Sequence, residues 1–493
     1  MNPSKSYFIQ SFLIVFLAAI FFIGLKNVLP KKIFSEKTGL TQNVLIDSML
    51  LEAFNAEKKA QKTISKDTLN QQNIHFFETN GIAFPSENFE NYKGYQYLIP
   101  FYEKLYQLET TKKGHVRIAY FGDSMTDGDM IVQDVRAQYQ NQFGGNGVGF
   151  VAITSESAAS RGSVLHEYAT NWKTLSYLNV KNPSKPFGVN GHVFFANDTL
   201  HKAWVKYKTN IVKPISWLNN PTLFYGYASN NQAIISYTIG KDTITKNLTP
   251  HHLLNTLVLS QNPLKSLKVD FKKAKSIPIY GFNFDDGKGV HVDNFSQRGN
   301  SGIPISKFDV ALMQSFHQKL NYDLIVLHYG TNVLNYGTFD YGWYNKSMSK
   351  VVQRLKECFP GTAILVISTA DKATKYETQM KTDSAVVPLT LAQKRYALNN
   401  QAAFVNLYTL MGGDGSMTKW VEEIPVLANK DYTHFNQRGA KKVAGIIYNQ
   451  LQTGYEQYKQ LRKNKATASK TAAPKVAPIQ PDSLLSNPNE QQP

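Results

Sequence analysis

Two rhythms of apolar and polar residues divide the chain. In the first, mostly apolar runs read as buried strands: "VRIAYFG" (116–122), "DLIVLHYG" (323–330), "TAILVIST" (362–369) and "AAFVNLY" (402–408). Between and after them lie longer segments whose apolar positions return every three or four residues: "MIVQDVRAQYQNQF" (130–143), "SMSKVVQRLKECF" (347–359), "LTLAQKRYALNNQ" (389–401) and "RGAKKVAGIIYNQLQTGYEQYKQL" (438–461). Strands apolar on both faces, alternating with helices, predict a parallel sheet covered on both sides. A further helix, "YLIPFYEKLYQLE" (97–109), precedes the first strand.

The second rhythm fills residues 155–285. Short runs rich in Tyr, Phe, Val and Ile, such as "HVFFAND", "AWVKYKT", "AIISYTIG", "LKVDFKK" and "IPIYGFNFDD", are separated by Asn, Gly, Pro and Lys. That spacing predicts a β-sandwich or jelly roll. It interrupts the α/β pattern after its first strand–helix unit, so the α/β domain is expected at 92–154 and 286–455 with the β-domain inserted between.

The flanks differ from both. Tyr7 to Leu25 carries no charged residue, and as a helix it would reach roughly 28 Å, enough to cross a bilayer core. No small-residue cleavage site follows it, so residues 1–25 are read as an uncleaved membrane anchor. Lys5 before the segment and Lys26, Lys31 and Lys32 after it leave its orientation open. Residues 26–91 read as a stalk with one helical stretch, and residues 464–493, rich in Ala, Pro, Ser and Gln, as a disordered tail.

Charge and cysteine usage narrow the function classes. The formal net charge is +18, which suits nucleic acid, an anionic membrane or an acidic polymer. The basic residues are scattered or lie in tails, with no zinc-finger, RRM or basic-zipper pattern, so nucleic acid is not expected as a partner. The one cysteine, Cys358, excludes an internal disulfide and a cysteine-based metal cluster, and reads as a buried packing residue.

The candidate chemistry begins at "YFGDSMTDGDM" (120–130). Ser124 follows the first strand, at the carboxyl edge where open α/β sheets collect reactive groups. A turn or cap serine would sit there equally well. A serine nucleophile needs a histidine base held by a carboxylate, and Asp-x-x-His spacing occurs at Asp198–His201 and Asp431–His434. The first falls in the β-insert. The second follows the last strand and precedes the terminal helix, and is favoured, although Asp431 could instead cap that helix. Acyl transfer also requires donors for an oxyanion: Asn332 in "HYGTNVLNYG" and Gly299 or Gly302 in "VDNFSQRGNSGI" are the candidates. Asp127 and Asp129 read as helix-start residues favoured by the dipole.

"FGDSMTDGD", "QRGNSG", "YGTN" and "DYTH" occur in that order and resemble the four blocks of the SGNH, or GDSL, hydrolase superfamily. The resemblance implies a three-layer α/β/α sandwich with a central parallel sheet, no metal or organic cofactor, Ser124 as nucleophile, and Asp431 and His434 completing the triad. It implies an oxyanion hole of the Ser124 and Gly302 N–H groups and the Asn332 side chain. Two departures are visible: Val333 follows Asn332 where many relatives have Asp, and Ile303 follows Gly302, leaving Gly299 as the alternative. A β-domain inserted between the first two blocks is similar to the arrangement in peptidoglycan O-acetylesterases, whose insert is carbohydrate-binding-like.

Together these features lead us to expect a membrane-anchored serine esterase, outside the cytoplasm, acting on an acetylated polysaccharide or peptidoglycan. The same triad would serve an O-acetyltransferase supplied by a membrane acyl-transfer partner. A non-catalytic glycan-binding protein is the alternative from another class.

Overall fold

A computed structural model describes residues 11–17, 20–21, 47–59, 73–198, 202–210, 217–239, 241–336 and 340–471. The chain divides into two compact units, Met1–Leu45 and Ile46–Pro493. In the first, residues 11–17 and 20–21 are helical and exposed. Among the described residues no helix is long and apolar enough to cross a membrane; the rest of the expected Tyr7–Leu25 span lies outside them.

The second unit is built on a five-stranded parallel sheet: β1 (His115–Gly122), β2 (Gly289–Asn294), β3 (Leu324–His328), β4 (Ala363–Ile367) and β5 (Ala403–Val405), in the order β2-β1-β3-β4-β5. Seven longer helices accompany it, α1 (Ser48–Lys59), α2 (Ile99–Thr111), α3 (Val132–Phe143), α4 (Val310–Leu320), α5 (Gly342–Cys358), α6 (Val386–Asn399) and α7 (Gln437–Thr471), with two short ones at Leu407–Met411 and Ser416–Glu422. Alternate strand residues point to opposite faces. Ala119, Phe121, Ile325, Leu327, Ile364 and Val366 pack against α4, α5 and α6. Ile118, Tyr120, Val292, Val326, Leu365 and Val405 pack against α2, α3 and α7. The sheet is thus the middle of three layers, as the apolar runs predicted. Cys358 is buried in the first of these cores, which pushes its thiol up to about 12.

The insert is a β-sandwich. One antiparallel sheet runs Asp242–Asn247, Ile234–Ile239, Ser266–Lys272, Ala203–Thr209, Val164–Tyr168, and the other Leu254–Val258, Thr222–Gly226, Ile279–Phe284, His192–Ala196, Trp172–Ser176. Val205, Ile235 and Val269 of the first meet Phe194, Leu223 and Phe282 of the second. Gly149–Val151 also pairs with Ile279–Phe284, so the β-domain begins a few residues before the expected 155. Its second sheet lies on the α/β layer through packed rings: Phe224 stacks on Phe316 at 5.8 Å, while Tyr280 meets Phe316 at 5.4 Å and Phe150 meets Phe295 at 5.9 Å edge-on.

Four expectations change. β2 was not anticipated, because "GVHVDN" carries His291 and Asp293, both buried, where a periodicity reading wants apolar residues. The expected stalk is in part a piece of the folded unit: Leu50 and Phe54 of α1 join the core, and Ile82, Phe84 and Phe89 are buried. The tail expected from 464 is helical to Thr471, with the remainder outside the described residues.

Asp127 and Asp129, finally, are not helix-dipole residues. Asp127 accepts from Ser157 Oγ at 2.8 Å and Arg298 Nε at 2.9 Å. Asp129, fully buried, takes both Arg136 Nη1 at 2.7 Å and Arg136 Nη2 at 3.1 Å, with Arg161 of the insert at 3.8 Å. Burial alone would push this carboxyl up; the attraction of Arg136 and then Arg161 outweighs it and holds Asp129 well below the usual range.

Asp129→Asn leaves two buried guanidinium groups without their counter-charge and is expected to cost about 3–5 kcal/mol in urea denaturation at neutral pH. Because the folded-state pKa is depressed, the carboxylate's contribution is complete above about pH 4 and fades as the pH falls toward the lowered value. The variant should therefore lose less stability than the parent on acidification, and parallel acid profiles would rule this out.

Candidate active site

At the carboxyl end of β1 the chain turns sharply: Thr126 N–H and Asp127 N–H both donate to Asp123 O, at 3.2 and 3.0 Å. Gly122 permits the close approach, since a Cβ there would fall 2.1 Å from Thr126 Oγ1. The turn presents Ser124 half-buried, and its Oγ lies 2.9 Å from His434 Nε2. Ser124 caps no helix, because α3 starts only at Val132 and has no side-chain cap.

Asp431 and His434 share one short loop. Asp431 Oδ1 accepts the N–H groups of Thr433 at 3.0 Å and His434 at 2.9 Å, while Oδ2 lies 2.8 Å from His434 Nδ1. The spacing works because the carboxylate closes a turn over its own chain and still keeps one oxygen for the imidazole. A carboxylate only accepts, so Nδ1 carries the hydrogen and Nε2 is left to accept from Ser124 in the neutral ring. Burial raises the Asp431 pKa, but the N–H and ring bonds of His434 and the N–H of Thr433 outweigh it and hold the carboxyl below its ordinary value. The capping role open to Asp431 falls to Asn436, whose Oδ1 takes the N–H groups of Arg438 and Gly439 at 2.9 and 3.1 Å.

Asn332 follows β3, and its Nδ2 donates to Asn300 O at 3.0 Å. An amide nitrogen has two hydrogens, so one remains for a ligand. Ser124, Asn332, Asp431 and His434 line one cavity of about 260 Å³ together with Thr331, Asn335, Lys372 and Thr433. Gly302 is not brought there. Its N–H is committed to Asn300 Oδ1 at 2.9 Å, and a Cβ on it would meet Tyr329 at 2.8 Å. The physical reason is that Asn300 closes a turn over Ser301 and Gly302 and draws that N–H inward.

Gly299, the alternative, is half-exposed with φ 75°, and its N–H has no acceptor among the described residues. Its neighbours reach both sides of the Ser124 turn: Gln297 N–H donates to Gly122 O at 3.0 Å, Arg298 holds Asp127, and Asn300 O holds Asn332. Of the other Asp-x-x-His pair, Asp198 accepts Ala274 N–H at 3.0 Å within the insert, and His201 lies outside the described residues.

Three contributors escaped the sequence reading. Asp123, buried beside Ser124, accepts Met125 N–H at 3.0 Å and Thr331 N–H at 3.2 Å, so it ties the serine turn to the Asn332 loop. Asn300 donates to Tyr177 Oη of the insert at 3.0 Å while its carbonyl orients Asn332. Lys372 enters the cavity wall from the end of β4. Asp123 and Asn300 stood inside recognised blocks; nothing in the sequence singled out Lys372. Among the described residues no group of three or more His, Cys, Asp or Glu side chains is arranged to hold a metal ion.

Burial pushes Asp123 up to about 6, against the pull of the Met125 N–H and of His434. A carboxyl raised in the folded state contributes stability that is complete below about pH 4, its unfolded value, and is lost as the pH rises through about 6. The stability gap between the parent and Asp123→Asn, measured by urea denaturation at pH 4.5 and 7, should shift in the variant's favour at the higher pH. An unchanged gap would mean that Asp123 titrates normally.

No protein-family model and no curated protein sequence matches the chain. Among solved structures it is similar to a peptidoglycan O-acetylesterase, with TM-score 0.58 and 21% sequence identity, covering 73% of this chain and 96% of that one. An acetyl xylan esterase matches with TM-score 0.26 and 17% identity over 32% of this chain and 80% of its own. A carbohydrate esterase family 2 enzyme with its carbohydrate-binding domain, from Corynascus thermopiles, matches with TM-score 0.23 and 12% identity over 59% and 99%. The first likeness establishes the fold, and the α/β/α sandwich expected from the four sequence blocks is the one found.

Proposed function

We propose that the chain is a serine esterase that removes O-acetyl groups from a carbohydrate polymer of the cell envelope through an acyl-Ser124 intermediate. The observation that carries this reading is the unbroken hydrogen-bonded series Ser124 Oγ, His434 Nε2, His434 Nδ1, Asp431 Oδ2, with links of 2.9 and 2.8 Å, opening on a cavity that also holds Asn332.

In the proposed reaction His434 Nε2 takes the Ser124 hydroxyl proton as Oγ attacks the ester carbonyl. The carbonyl oxygen becomes negative and is met by the free N–H of the Asn332 amide and by the Ser124 backbone N–H. The position of Gly299 between Arg298 and Asn300 favours its N–H over that of Gly302 as a further donor. His434, now charged beside Asp431, returns the proton to the sugar oxygen as the C–O bond breaks. Water then attacks the acyl-serine with the same base, releasing acetate. Asp431 fixes the imidazole tautomer and stabilises its charged form.

The carbohydrate part of the reading draws on the fold shared with the peptidoglycan O-acetylesterase. It also draws on the small cavity, about 260 Å³, below the range typical of pockets for larger ligands. The net charge of +18 would gather an anionic polymer around the molecule. We place the protein at a membrane on the strength of the uncharged Tyr7–Leu25 segment, with its globular unit outside the cytoplasm because the proposed substrate is a polymer of the cell envelope. Deletion of residues 1–25 should then move the protein from the membrane pellet to the soluble fraction.

Hydrolysis of p-nitrophenyl acetate by the full chain tests the chemistry. Ser124→Ala and His434→Ala should each lower kcat by roughly three to six powers of ten, because triad members act as a unit. Asn332→Ala should lower it by about 10²–10³-fold. Turnover that survives Ser124→Ala intact would sink the reading.

A further inference from the structure

We propose that Lys372 makes the Ser124 cavity selective for acetyl esters of acidic sugars, its ammonium group binding a carboxylate carried close to the ester. This inference rests on the esterase reading and adds the substrate class. The proposed catalytic groups, serine, imidazole, carboxylate and amide, would serve the cleavage of any acetyl ester and select no alcohol.

Lys372 is held from both sides of the cavity. Its carbonyl accepts Asp383 N–H at 2.7 Å, and the next residue, Ala373, donates its N–H to Tyr432 O at 3.0 Å, inside the loop that bears Asp431 and His434. The side chain reaches the opposite wall, where Nζ donates to Asn335 Oδ1 at 3.1 Å, three residues beyond Asn332. The ammonium therefore spans the two loops that carry the base and the side-chain oxyanion donor. It is the one lysine or arginine among the described residues that line this cavity.

Its charge is answered by one carboxylate, at the outer edge of ion-pairing distance. The side chain is 19% exposed overall, and its ammonium end, bonded to Asn335, is open to solvent and so to a ligand. Asp383 Oδ2 stands 3.9 Å away and is engaged by Thr374 Oγ1 at 2.7 Å, while Oδ1 takes Ala385 N–H at 3.0 Å. Asp431, the cavity's own carboxylate, has both oxygens occupied by its loop and by His434. An ammonium has three hydrogens, of which Asn335 takes one. A ligand carboxylate would supply the charge-assisted bond that the site lacks.

The size of the cavity limits where that carboxylate can be. About 260 Å³ accommodates an acetyl group and part of one sugar ring. Because Lys372 lines the same cavity as Ser124, the acid it binds is placed on the esterified sugar itself, as a uronic acid carboxylate or on an ether substituent. The overall charge of +18 attracts anions without choosing among them, whereas Lys372 reads the position of one carboxylate relative to the ester.

The test compares two substrate pairs with the full chain. One is an O-acetylated methyl glycoside of a uronic acid and its primary amide; the other is an O-acetylated hexosamine bearing a lactyl ether and its primary amide. At least one acid should be preferred over its amide by on the order of 10- to 100-fold in kcat/KM, mostly through KM, as expected for a charge-assisted contact. Lys372→Met should collapse that ratio toward one, and Lys372→Arg should keep most of it. Two outcomes overturn the inference while leaving the esterase reading standing: no preference for either acid by the parent protein, or an equal loss on acid and amide in Lys372→Met. If the parent hydrolyses none of these esters nor p-nitrophenyl acetate, the esterase reading fails and this inference with it.

Discussion

The buried guanidinium of Arg117 is the constraint around which the unit is organised. It projects from β1, donates Nε to Asp293 Oδ2 of β2 at 2.8 Å and Nη1 to Asp285 at 2.6 Å, just past the last strand of the insert. Asp293 Oδ1 takes the N–H of Phe150, at the insert's first strand, at 2.9 Å, and its Oδ2 takes the Tyr322 hydroxyl at 2.7 Å. One cation thus gathers the point where the chain leaves the α/β layer, the point where it returns and the edge strand that follows. Burial alone would lower the Arg117 pKa; the attraction of Asp293 and Asp285 more than reverses this, and Arg117 in turn holds the Asp285 carboxyl well below the usual range. Such a cluster adds little net stability over an apolar packing of equal volume, but leaving one member unpaired costs several kcal/mol. It therefore acts against misplacement: a slipped β2 would strand a buried charge.

Correct seating of β2 is what brings the second loop to the site. Beyond Asn294 the chain runs beside the serine turn, bonding to Tyr120 O through Phe295 and to Gly122 O through Gln297. It then delivers Arg298, Gly299 and Asn300 in succession. Asn300 orients Asn332, and Asp123 ties the Asn332 loop back to the serine. Thr331 is held by Asp123, Asn332 by Asn300 and His434 by Asp431, so this part of the arrangement exists before any ligand arrives.

Much of this was readable from sequence where a single physical cause dominates. Strands β1, β3, β4 and β5 are buried on both faces and so are largely apolar, with Arg117 in β1 and His328 in β3 as buried exceptions. The Asp431–His434 pairing needs only a local turn, and its two candidate positions could be separated by their place relative to the sheet. β2 could not be found the same way. It is a sheet edge whose buried positions are filled by His291 and Asp293, acceptable only because Arg117, distant in sequence, answers the charge. Gly302 and Gly299 differ by one turn whose direction is set by Asn300, and Lys372 is a surface-type residue until folding places Asn335 across from it. The misread Asp127 and Asp129 belong to the same class: local rules offered a sufficient cause, the helix dipole, while the real partners lay in Ser157, Arg161, Arg298 and the far side of α3.

The insert is consequently part of the site's mechanics and not an appended module. Tyr177 follows one of its strands, stacks on Phe308 of the α/β layer at 5.9 Å and receives the Asn300 amide at 3.0 Å. From there one bond reaches Asn332. Because the phenol is buried, its hydroxyl has no water to replace that donor, and burial pushes its pKa well above the usual tyrosine value. The position of the Asn332 amide is thus referred, through Asn300, to a β-sandwich residue as well as to the parallel sheet. A loosely tethered sandwich could not hold such a reference. The aromatic seam of Phe150, Phe224, Tyr280 and Phe316 makes the two domains one body on the scale of a hydrogen bond, which is the scale at which an oxyanion donor must be placed.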